Sequence, residues 1–277
     1  MQPLSSWPLH ARRNLVGVFT DIDDTLTTGG AITADALQAL ADLKAAGLIV
    51  IPITGRPIGW CEPFIAGVGE KPWPVDAMVA ENGGVAFASK KGPQAAQNER
   101  EQLSKLYQQD SDTRARNQAR MQQIAAQIMA DVPGVALSRD GGGRETDLAF
   151  DYNEFAKLPP ETVRQVVTLL QSAGMHTTVS SIHIHGCFGD FTKWTGACWI
   201  ARELFGRDLA LELDQWVFIG DSGNDQAMFE HFTHSVGVAN ISHYAANMQH
   251  LPRYITPSAR GTGFAEMAHR ILESRTA

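Results

Sequence analysis

Basic residues, cysteines and long apolar runs are all scarce in this sequence of 277 residues. Lysine and arginine number 23 against 30 aspartates and glutamates, which gives a formal net charge of −7. This balance argues against a general binder of nucleic acid or of anionic membranes, because both need a basic surface. A bound metal ion can reverse the sign locally, so an anionic small substrate is still compatible with the composition.

The cysteines and the lack of long apolar runs indicate the cellular compartment in which the protein is expected. Cys61, Cys187 and Cys198 form no CxxC pair, and an odd number without regular spacing indicates free thiols in a reducing compartment. No window is long and apolar enough to cross a bilayer, and the first eight residues lack the apolar run of a signal peptide. We therefore expect a cytoplasmic protein. Hydrophobic residues make up 44% of the chain, which is enough for a full core.

An apolar stretch at residues 15–19 changes abruptly to carboxylates. The run is typical of a strand buried in a parallel sheet, and Asp21, Asp23 and Asp24 follow it. An ionised carboxylate at a buried strand end is costly unless a cation or hydrogen-bond donors meet it. These residues therefore form either an acidic turn that caps the next helix or a functional site.

Polar stretches follow three further expected strands in the same way. They are TGR at 54–56, ENG at 81–83 and GDSGND at 220–225. In open α/β sheets ligands bind at the carboxyl ends of the strands. Apolar periodicity predicts helices at 33–46, 195–205, 226–232, 242–250 and 263–272 and strands at 235–239 and 254–256. Alternating strands and helices predict an α/β fold with a parallel sheet.

The middle of the chain breaks this alternation. Residues 94–131 place Leu103, Leu106, Tyr107, Ile124 and Ile128 as on one face of a helix. Strands are expected at 135–138, 148–152, 176–180 and 182–187, with a helix from Pro160 to Gly174. The order differs from the parallel pattern around it. We therefore predict an inserted αββαββ domain at 85–189, within a core made of residues 1–84 and 190–277.

Four ordered stretches now carry a resemblance. DIDDT at 21–25, TGR at 54–56, Lys193 and GDSGND at 220–225 resemble the four motifs of the haloacid dehalogenase (HAD) superfamily of phosphohydrolases, in order, residue type and spacing, over nearly the whole chain. The resemblance implies a Rossmann-like, doubly wound parallel-sheet core with an inserted α+β cap. The insertion is similar to the large cap class of Cof-like, sucrose-phosphate and mannosyl-3-phosphoglycerate phosphatases.

The first motif has roles that fit attack on a phosphate ester. Asp21 would be the nucleophile that forms an aspartyl-phosphate. Asp23 lies two residues further on and returns to the same side of an extended segment, where it would protonate the leaving alcohol and then deprotonate water. Family members with Asp at this second position are phosphatases or phosphomutases. Asp24 is expected to be a turn or cap residue.

The other motifs would supply a cation and donors. Mg²⁺ prefers oxygen ligands, here an Asp21 oxygen, the backbone carbonyl of Asp23 and Asp221. Asp225 would lie behind the metal or hold a metal-bound water. Thr54 and Lys193 would bind the phosphoryl oxygens, helped by the backbone N–H of Gly55 and the side chain of Asn224. Alternatively, Thr54 is a helix N-cap and Lys193 a solvated lysine.

Substrate contacts are expected from Arg56 and Asn82 on the core and from His183 and His185 on the inserted domain. The two histidines alternate on a strand and share one face, where they would bind sugar hydroxyls, a carboxylate or a metal. The alternative is that they lie on the solvent face, and zinc is disfavoured without a third ligand. Arginines 114, 116 and 120 form a solvated helix face or attract an anionic substrate, and arginines 139 and 144 lie in a glycine-rich loop.

The sequence therefore predicts a Mg²⁺-dependent phosphomonoesterase that acts on a small, sugar-like phosphate through an aspartyl-phosphate. Mannosyl-3-phosphoglycerate is the first candidate, with trehalose or sucrose phosphate next. The alternatives are a phosphomutase of the phosphomannomutase type and a non-catalytic module that binds phosphorylated ligands. The expected partner is a small phosphorylated metabolite, with neither nucleic acid nor a membrane, and the chain is a monomer or a homodimer.

Overall fold

A computed structural model describes residues 1–66, 72–89 and 103–276. Across these ranges the chain forms eight α-helices: α1 (Leu9–Arg13), α2 (Ala34–Ala45), α3 (Ile58–Ala66), α4 (Ser111–Asp131), α5 (Pro160–Ser172), α6 (Lys193–Phe205), α7 (Gln226–His231) and α8 (Arg260–Thr276). Gly47, Gly174 and Gly206 follow helix ends with φ of 80°, 80° and 63°, a conformation that glycine adopts without strain.

Six parallel strands form the central sheet, in the order β1 (Gln2–Pro3), β14 (Tyr254–Ile255), β13 (His234–Gly237), β12 (Trp216–Gly220), β2 (Gly17–Thr20) and β5 (Ile49–Pro52). The short edge strand β1 was not predicted, because two residues carry no periodicity. Gly17 on β2 faces the ring of Trp216, where a Cβ would overlap the indole.

Helices cover both faces of this sheet. Val18 packs with Leu40 of α2 and Phe264 of α8 on one face, while Phe19 packs with Ile200 of α6 and residues of α7 on the other. Neighbouring residues of β2 thus enter two separate cores, as expected for a strand that is buried on both sides. The predicted doubly wound α/β core is confirmed.

An antiparallel sheet extends the core beyond β5. Its order is β6 (Ala77–Ala80), β7 (Val85–Ser89) and β8 (Leu103–Tyr107), and a parallel bridge from Ile53 to Val79 joins it to the central sheet. The prediction that Leu103–Tyr107 belongs to a helix face is wrong. Its apolar positions also suit a strand, and pairing with β7 decided between the two. Predictions for residues 94–102 lie outside the described residues.

A third sheet carries the order β10 (His176–Val179), β11 (His183–Cys187), β9 (Asp147–Asp151), all antiparallel; we call it the cap sheet. Leu148, Phe150 and Ile184 pack with α4 and α5 on one face. The expected strand at 135–138 is reduced to a single bridge between Leu137 and Phe150. The division of the chain at residues 85 and 189 stays a prediction.

Three further expectations concern local structure. The helix expected at 242–250 is wrong, because the region forms two short 3₁₀ turns, Ala239–His243 and Ala245–Asn247. The three cysteines are free thiols. Among the helices that the structure describes, none has the length and hydropathy to span a membrane.

Candidate active site

Strand ends bring the predicted site residues to one edge of the central sheet. Asp21 follows β2, Thr54 lies two residues after β5, and Asp221 follows β12. The backbone N–H of Thr54 donates to the carbonyl of Val79. Because parallel strands point the same way, their carboxyl ends meet at this edge. Each of these residues is at most 4% exposed.

Lys193 lies at the centre of the acidic residues. It is the first residue of α6 and is fully buried, so the alternative of a solvated lysine is wrong. Its Nζ donates to Asp21 Oδ1 at 2.5 Å and to Asp225 Oδ1 at 2.6 Å. Burial alone would lower the pKa of Lys193, but attraction to the two carboxylates outweighs it and raises that pKa.

Both carboxylate oxygens of Asp225 already accept hydrogen bonds, which leaves little capacity for another ligand. Its second oxygen accepts the N–H groups of Asp221 at 2.8 Å and Ser222 at 3.0 Å. Gly220 allows this close turn, because a Cβ there would overlap the Asp225 carboxylate. Asp225 therefore orients Lys193 and the loop that carries Asp221.

Asp221 is the group most in need of a cation. Its Oδ2 accepts from Asn240 at 3.1 Å, whereas its buried Oδ1 has no partner among the described residues. Burial raises the pKa of Asp221 well above its usual range and that of Asp21 to about 7. Oxygen atoms of Asp21, Asp221 and Asp225 lie within 4.8 Å of one another. This oxygen-rich donor set and the orphaned carboxylate oxygen fit Mg²⁺.

Asp23 is held by an arginine rather than by the lysine. Arg56 Nε donates to Asp23 Oδ2 and Arg56 Nη2 to Asp23 Oδ1, both at 2.9 Å. The same guanidinium contacts Asp140 at 3.2 Å and Glu154 at 2.9 Å, two carboxylates from the region of the cap sheet. Arg56 thus lies between the two halves of the site.

Donors surround the loop after β5. Thr54 Oγ1 accepts the N–H of Arg56 at 3.0 Å, and Thr54 does not cap α3, which begins at Ile58. Asn224 Nδ2 donates to Asn82 Oδ1 at 3.1 Å, and Asn82 adopts the left-handed conformation that asparagine tolerates. Four of the predicted phosphate-binding and substrate residues are therefore adjacent: Thr54, Gly55, Asn82 and Asn224.

The cap sheet turns a polar face toward this edge. His183 Nε2 lies 2.9 Å from Glu154 Oε2, and His185 Nδ1 lies 3.1 Å from Asp147 Oδ2. Both imidazoles are at most 3% exposed, so the alternative of a solvent-facing pair is wrong. Together with Asp21 and Thr54 they line a cavity of only about 10 Å³.

Several residues of the site escaped the sequence analysis. Asp140, Asp147, Glu154 and Asn240 all contact predicted site residues. Glu81, which the sequence marked only as part of the polar stretch 81–83, accepts the N–H of Asp147. Asp147 had a detectable signal, because it lies two residues before Ala149 on the same strand and therefore shares a face with an apolar side chain. The others lie in loops or in a 3₁₀ turn, where no period marks a buried polar residue.

The remaining predicted residues have structural contacts. Asp24, in the left-handed conformation of a turn residue, accepts from Arg260 Nε at 2.8 Å. Arg144 is buried and donates to the carbonyl of Gly55 at 2.9 Å. The guanidinium groups of Arg114, Arg120 and Arg139 lie over the rings of Tyr107, Phe188 and Phe155.

Comparison with known proteins decides the family. The family described as haloacid dehalogenase-like hydrolase matches residues 18–128 and 199–267, which together are more than half of the chain. This chain belongs to the haloacid dehalogenase-like hydrolase family. The match confirms the predicted family, and its segments include three of the four motifs, 21–25, 54–56 and 220–225, but not Lys193.

Individual relatives of this hydrolase are distant but span nearly its whole length. A phosphoglycolate phosphatase of Methanothermobacter thermautotrophicus is 23% identical over 256 residues, or 92% of this chain and 98% of that protein. The activity of this relative agrees with the predicted enzyme class, a phosphatase.

Two solved structures share the fold of this hydrolase. Protein 0175 of Thermoplasma acidophilum has a TM-score of 0.68 at 19% identity, covering 93% of this chain and 99% of that one. The sucrose-phosphatase of Synechocystis, solved with sucrose and phosphate, has a TM-score of 0.62 at 17% identity, covering 93% and 98%. Both matches include the region of the cap sheet, since they extend over nearly all of each chain.

Proposed function

We propose that this hydrolase is a Mg²⁺-dependent phosphomonoesterase that acts on a small, sugar-like phosphate through an aspartyl-phosphate. The observation that carries the proposal is the placement of Lys193 between Asp21 and Asp225, beside an Asp221 oxygen that has no partner in the described parts of the chain. A buried cation and an unsatisfied carboxylate at a strand end suit a site that receives a charged ligand.

Asp21 is the proposed nucleophile. Its oxygen forms a bond to phosphorus while the bond to the ester oxygen breaks, and Asp23 gives its proton to that departing oxygen. In the second half, Asp23 takes a proton from water, the water oxygen bonds to phosphorus, and the aspartyl oxygen leaves. Asp23 ends protonated again, so the cycle closes with one water consumed and one phosphate released.

Asp21, Asp221 and the backbone carbonyl of Asp23 are the proposed ligands of Mg²⁺. The ion, when bound, supplies positive charge that lowers the repulsion between the carboxylate and the phosphate. Asp225 does not need to bind it, because its oxygens already hold Lys193 and two backbone N–H groups.

Four groups are proposed to bind the phosphoryl oxygens. They are the Thr54 hydroxyl, the backbone N–H of Gly55, the Lys193 ammonium and the Asn224 amide, each placed at the same edge of the sheet as Asp21. Preorganised donors of this kind stabilise charge that develops in the transition state without further rearrangement.

Substrate entry requires the cap sheet to move. A cavity of about 10 Å³ has room for about one water molecule, so a phosphorylated metabolite cannot enter this closed arrangement. Arg56 is the contact that must separate from Asp140 and Glu154 as the site opens. Closure then excludes water from the reacting phosphate.

A phosphate-release assay tests this function. The panel contains p-nitrophenyl phosphate, sucrose and trehalose phosphates, mannosyl-3-phosphoglycerate and phosphoglycolate, each with Mg²⁺ and with a chelator. Asp21→Asn should abolish release while the circular dichroism spectrum stays unchanged, and Asp42→Asn at an exposed position is the matched control. Full activity in Asp21→Asn would overturn the mechanism.

The same assay separates the two alternatives. A phosphomutase needs a bisphosphorylated activator and gives no net phosphate. A binding module releases no phosphate at all. The presence of both Asp21 and Asp23 argues against such a module, because binding alone does not need both residues.

A further inference from the structure

Two buried nitrogen atoms beside the proposed phosphate-binding loop lack a hydrogen-bond partner among the described residues. They are His185 Nε2 and Asn82 Nδ2. Both lie against Gly55: a Cβ built on that glycine would be 2.9 Å from His185 Nε2 and 3.3 Å from Asn82 Nδ2. Unpaired buried polar atoms are costly, so a ligand group that meets both is expected at this point.

The orientation of His185 is fixed from behind. Asp147 accepts at Oδ2 from His185 Nδ1 and at Oδ1 from Arg144 Nη1, at 3.1 and 2.8 Å. Glu81 holds the backbone of the same segment, because it accepts the N–H of Asp147 at 3.2 Å. The imidazole therefore cannot turn without breaking a buried network.

This network also fixes the tautomer. Burial, followed by repulsion from Arg144, holds the pKa of His185 well below 6.5, so the ring is neutral near pH 7. A carboxylate of Asp147 accepts but does not donate, so the proton of the ring lies on Nδ1. Nε2, which lies against Gly55 at the wall of the cavity, is then a hydrogen-bond acceptor.

Charged residues of both signs lie around His185. Asp140, Asp147 and Glu154 bring three carboxylates to this side of the cavity. The two arginines that neutralise them, Arg56 and Arg144, are already committed to these carboxylates and to Asp23. A second negative group on the substrate would thus meet an acceptor nitrogen to which it has no proton to donate.

We propose that His185 is the specificity-determining residue that accepts a hydrogen bond from a hydroxyl of the leaving alcohol, and that Asp147 is its positioning residue. A hydroxyl both donates and accepts, so it can satisfy His185 Nε2 and Asn82 Nδ2 together, whereas a carboxylate can satisfy only Asn82. The enzyme thus prefers hydroxylated, uncharged leaving groups to carboxylated ones. This inference rests on the phosphomonoesterase function proposed above.

Three two-carbon substrates isolate this preference: 2-hydroxyethyl phosphate, ethyl phosphate and phosphoglycolate. They share one skeleton and differ only in a terminal hydroxyl, methyl or carboxylate. The wild-type kcat/KM should be highest for the hydroxyl member, by about tenfold or more over the methyl member, and lowest for the carboxylate member. Glycerol 1-phosphate against propyl phosphate repeats the comparison with a longer alcohol.

Asp147→Asn should change the substrate preference of the enzyme, which a purely structural role of Asp147 would not predict. Arg144 still needs an oxygen acceptor, so the new amide turns its NH₂ toward His185 Nδ1 and drives the ring proton to Nε2. The acceptor becomes a donor, and the ratio of kcat/KM for phosphoglycolate to that for 2-hydroxyethyl phosphate should rise about tenfold. His185→Leu should bring the hydroxyl and methyl members to equal kcat/KM.

His176→Leu is the matched control, a histidine of the same sheet that does not line the cavity, and it should keep the wild-type ratios. Turnover of p-nitrophenyl phosphate with no preference for the hydroxyl member, or ratios unmoved by Asp147→Asn and His185→Leu together, would overturn the role of His185. Absence of phosphate release from every ester, p-nitrophenyl phosphate included, would instead overturn the proposed function.

Discussion

Arg56 grips Asp23 through two parallel hydrogen bonds of 2.9 Å, from Nε to Oδ2 and from Nη2 to Oδ1. Such a fork fixes the plane of the carboxylate, which a single ammonium cannot do. The same guanidinium reaches Asp140 and Glu154 across the cavity. One side chain therefore couples the position of the proposed acid–base residue to closure of the site.

Replacing Arg56 tests this coupling. Arg56→Lys keeps the charge but loses the fork, so kcat/KM should fall by about 10- to 100-fold, equivalent to about 1.4–2.8 kcal/mol. In Arg56→Met, kcat/KM should fall further, because Asp23, Asp140 and Glu154 then repel one another as the site closes. Steady-state kinetics with p-nitrophenyl phosphate measures both, with Arg116→Met on the outer side of α4 as the control. Equal kinetics in wild type and Arg56→Met would contradict the coupling.

Loss of Lys193 should destabilise the protein as well as inactivate it. Lys193→Met leaves Asp21 and Asp225 buried without their cation, and removal of one partner from a buried ion pair costs about 3–5 kcal/mol. The loss of stability should be larger at pH 8 than at pH 5.5. The pKa of Asp21 is raised to about 7, so protonation of Asp21 at the lower pH relieves its repulsion with Asp225. Urea denaturation in the presence of a chelator measures the free energy of unfolding. Lys157→Met, at an exposed position, should change it by less than about 0.5 kcal/mol.

Mg²⁺ should stabilise the folded chain through Asp221. A ligand that binds only the folded state at 100 times its Kd adds about 2.7 kcal/mol to the free energy of unfolding. Thermal denaturation with Mg²⁺ and with a chelator should show an increase in Tm that Asp221→Asn removes and Asp42→Asn retains. An undiminished increase in Asp221→Asn would place the ion elsewhere.

The strand-end residues could be predicted because their signals are local. Asp21, Thr54 and Asp221 each follow an apolar run directly, and the parallel topology brings the ends of such runs together. Contacts within the cap sheet could not be predicted in this way. His185 and Asp147 lie 38 positions apart, and Arg56 and Glu154 lie 98 apart. Their meeting depends on strand register and on how the sheet faces the core, which no local pattern encodes.

Leu103–Tyr107 shows the opposite failure, in which a local pattern misleads. Leu103, Leu106 and Tyr107 have the i, i+3, i+4 spacing of a helix face. Leu103 and Tyr107 pack into one core cluster and Leu106 into the other. Apolar neighbours on both faces give a strand and a short helix the same pattern, and only the pairing with Val85–Ser89 distinguishes them.

Glu81 should be one of the least replaceable carboxylates. It is fully buried, and it accepts from the N–H groups of Ile58, Glu145, Thr146 and Asp147 at 2.5–3.2 Å. Glu81→Gln keeps the size but points an NH₂ group at these donors, so unfolding should become easier by about 2–4 kcal/mol. Urea denaturation measures the loss.

The exposed Glu62→Gln is the control for Glu81→Gln, since it makes the same chemical change at the surface of α3. A loss of less than about 0.5 kcal/mol in Glu81→Gln would mean that the loop rearranges and that Glu81 does not anchor the segment around Asp147.

The pH dependence of stability should report the buried state of His185. Its pKa is well below 6.5 in the folded protein, because of burial and of Arg144, while in the unfolded chain it titrates at about 6.5. As the pH falls below that value, the unfolded state binds a proton that the folded state does not. His185 therefore contributes stability above pH 6.5 that is lost in acid, up to about 2 kcal/mol at pH 5.

His185→Gln removes this proton uptake, so the difference in unfolding free energy between wild type and variant should shrink by that amount between pH 8 and pH 5. Urea denaturation at several pH values measures it, and the same substitution at exposed His10 is the control. The variant isolates one group from the carboxylates whose pKa burial raises, Asp147 to about 6 and Glu81 to about 7, which act in the opposite direction. A difference that stays constant with pH would mean that the folded protein admits a charged imidazole, and His185 Nε2 would then be a donor rather than an acceptor.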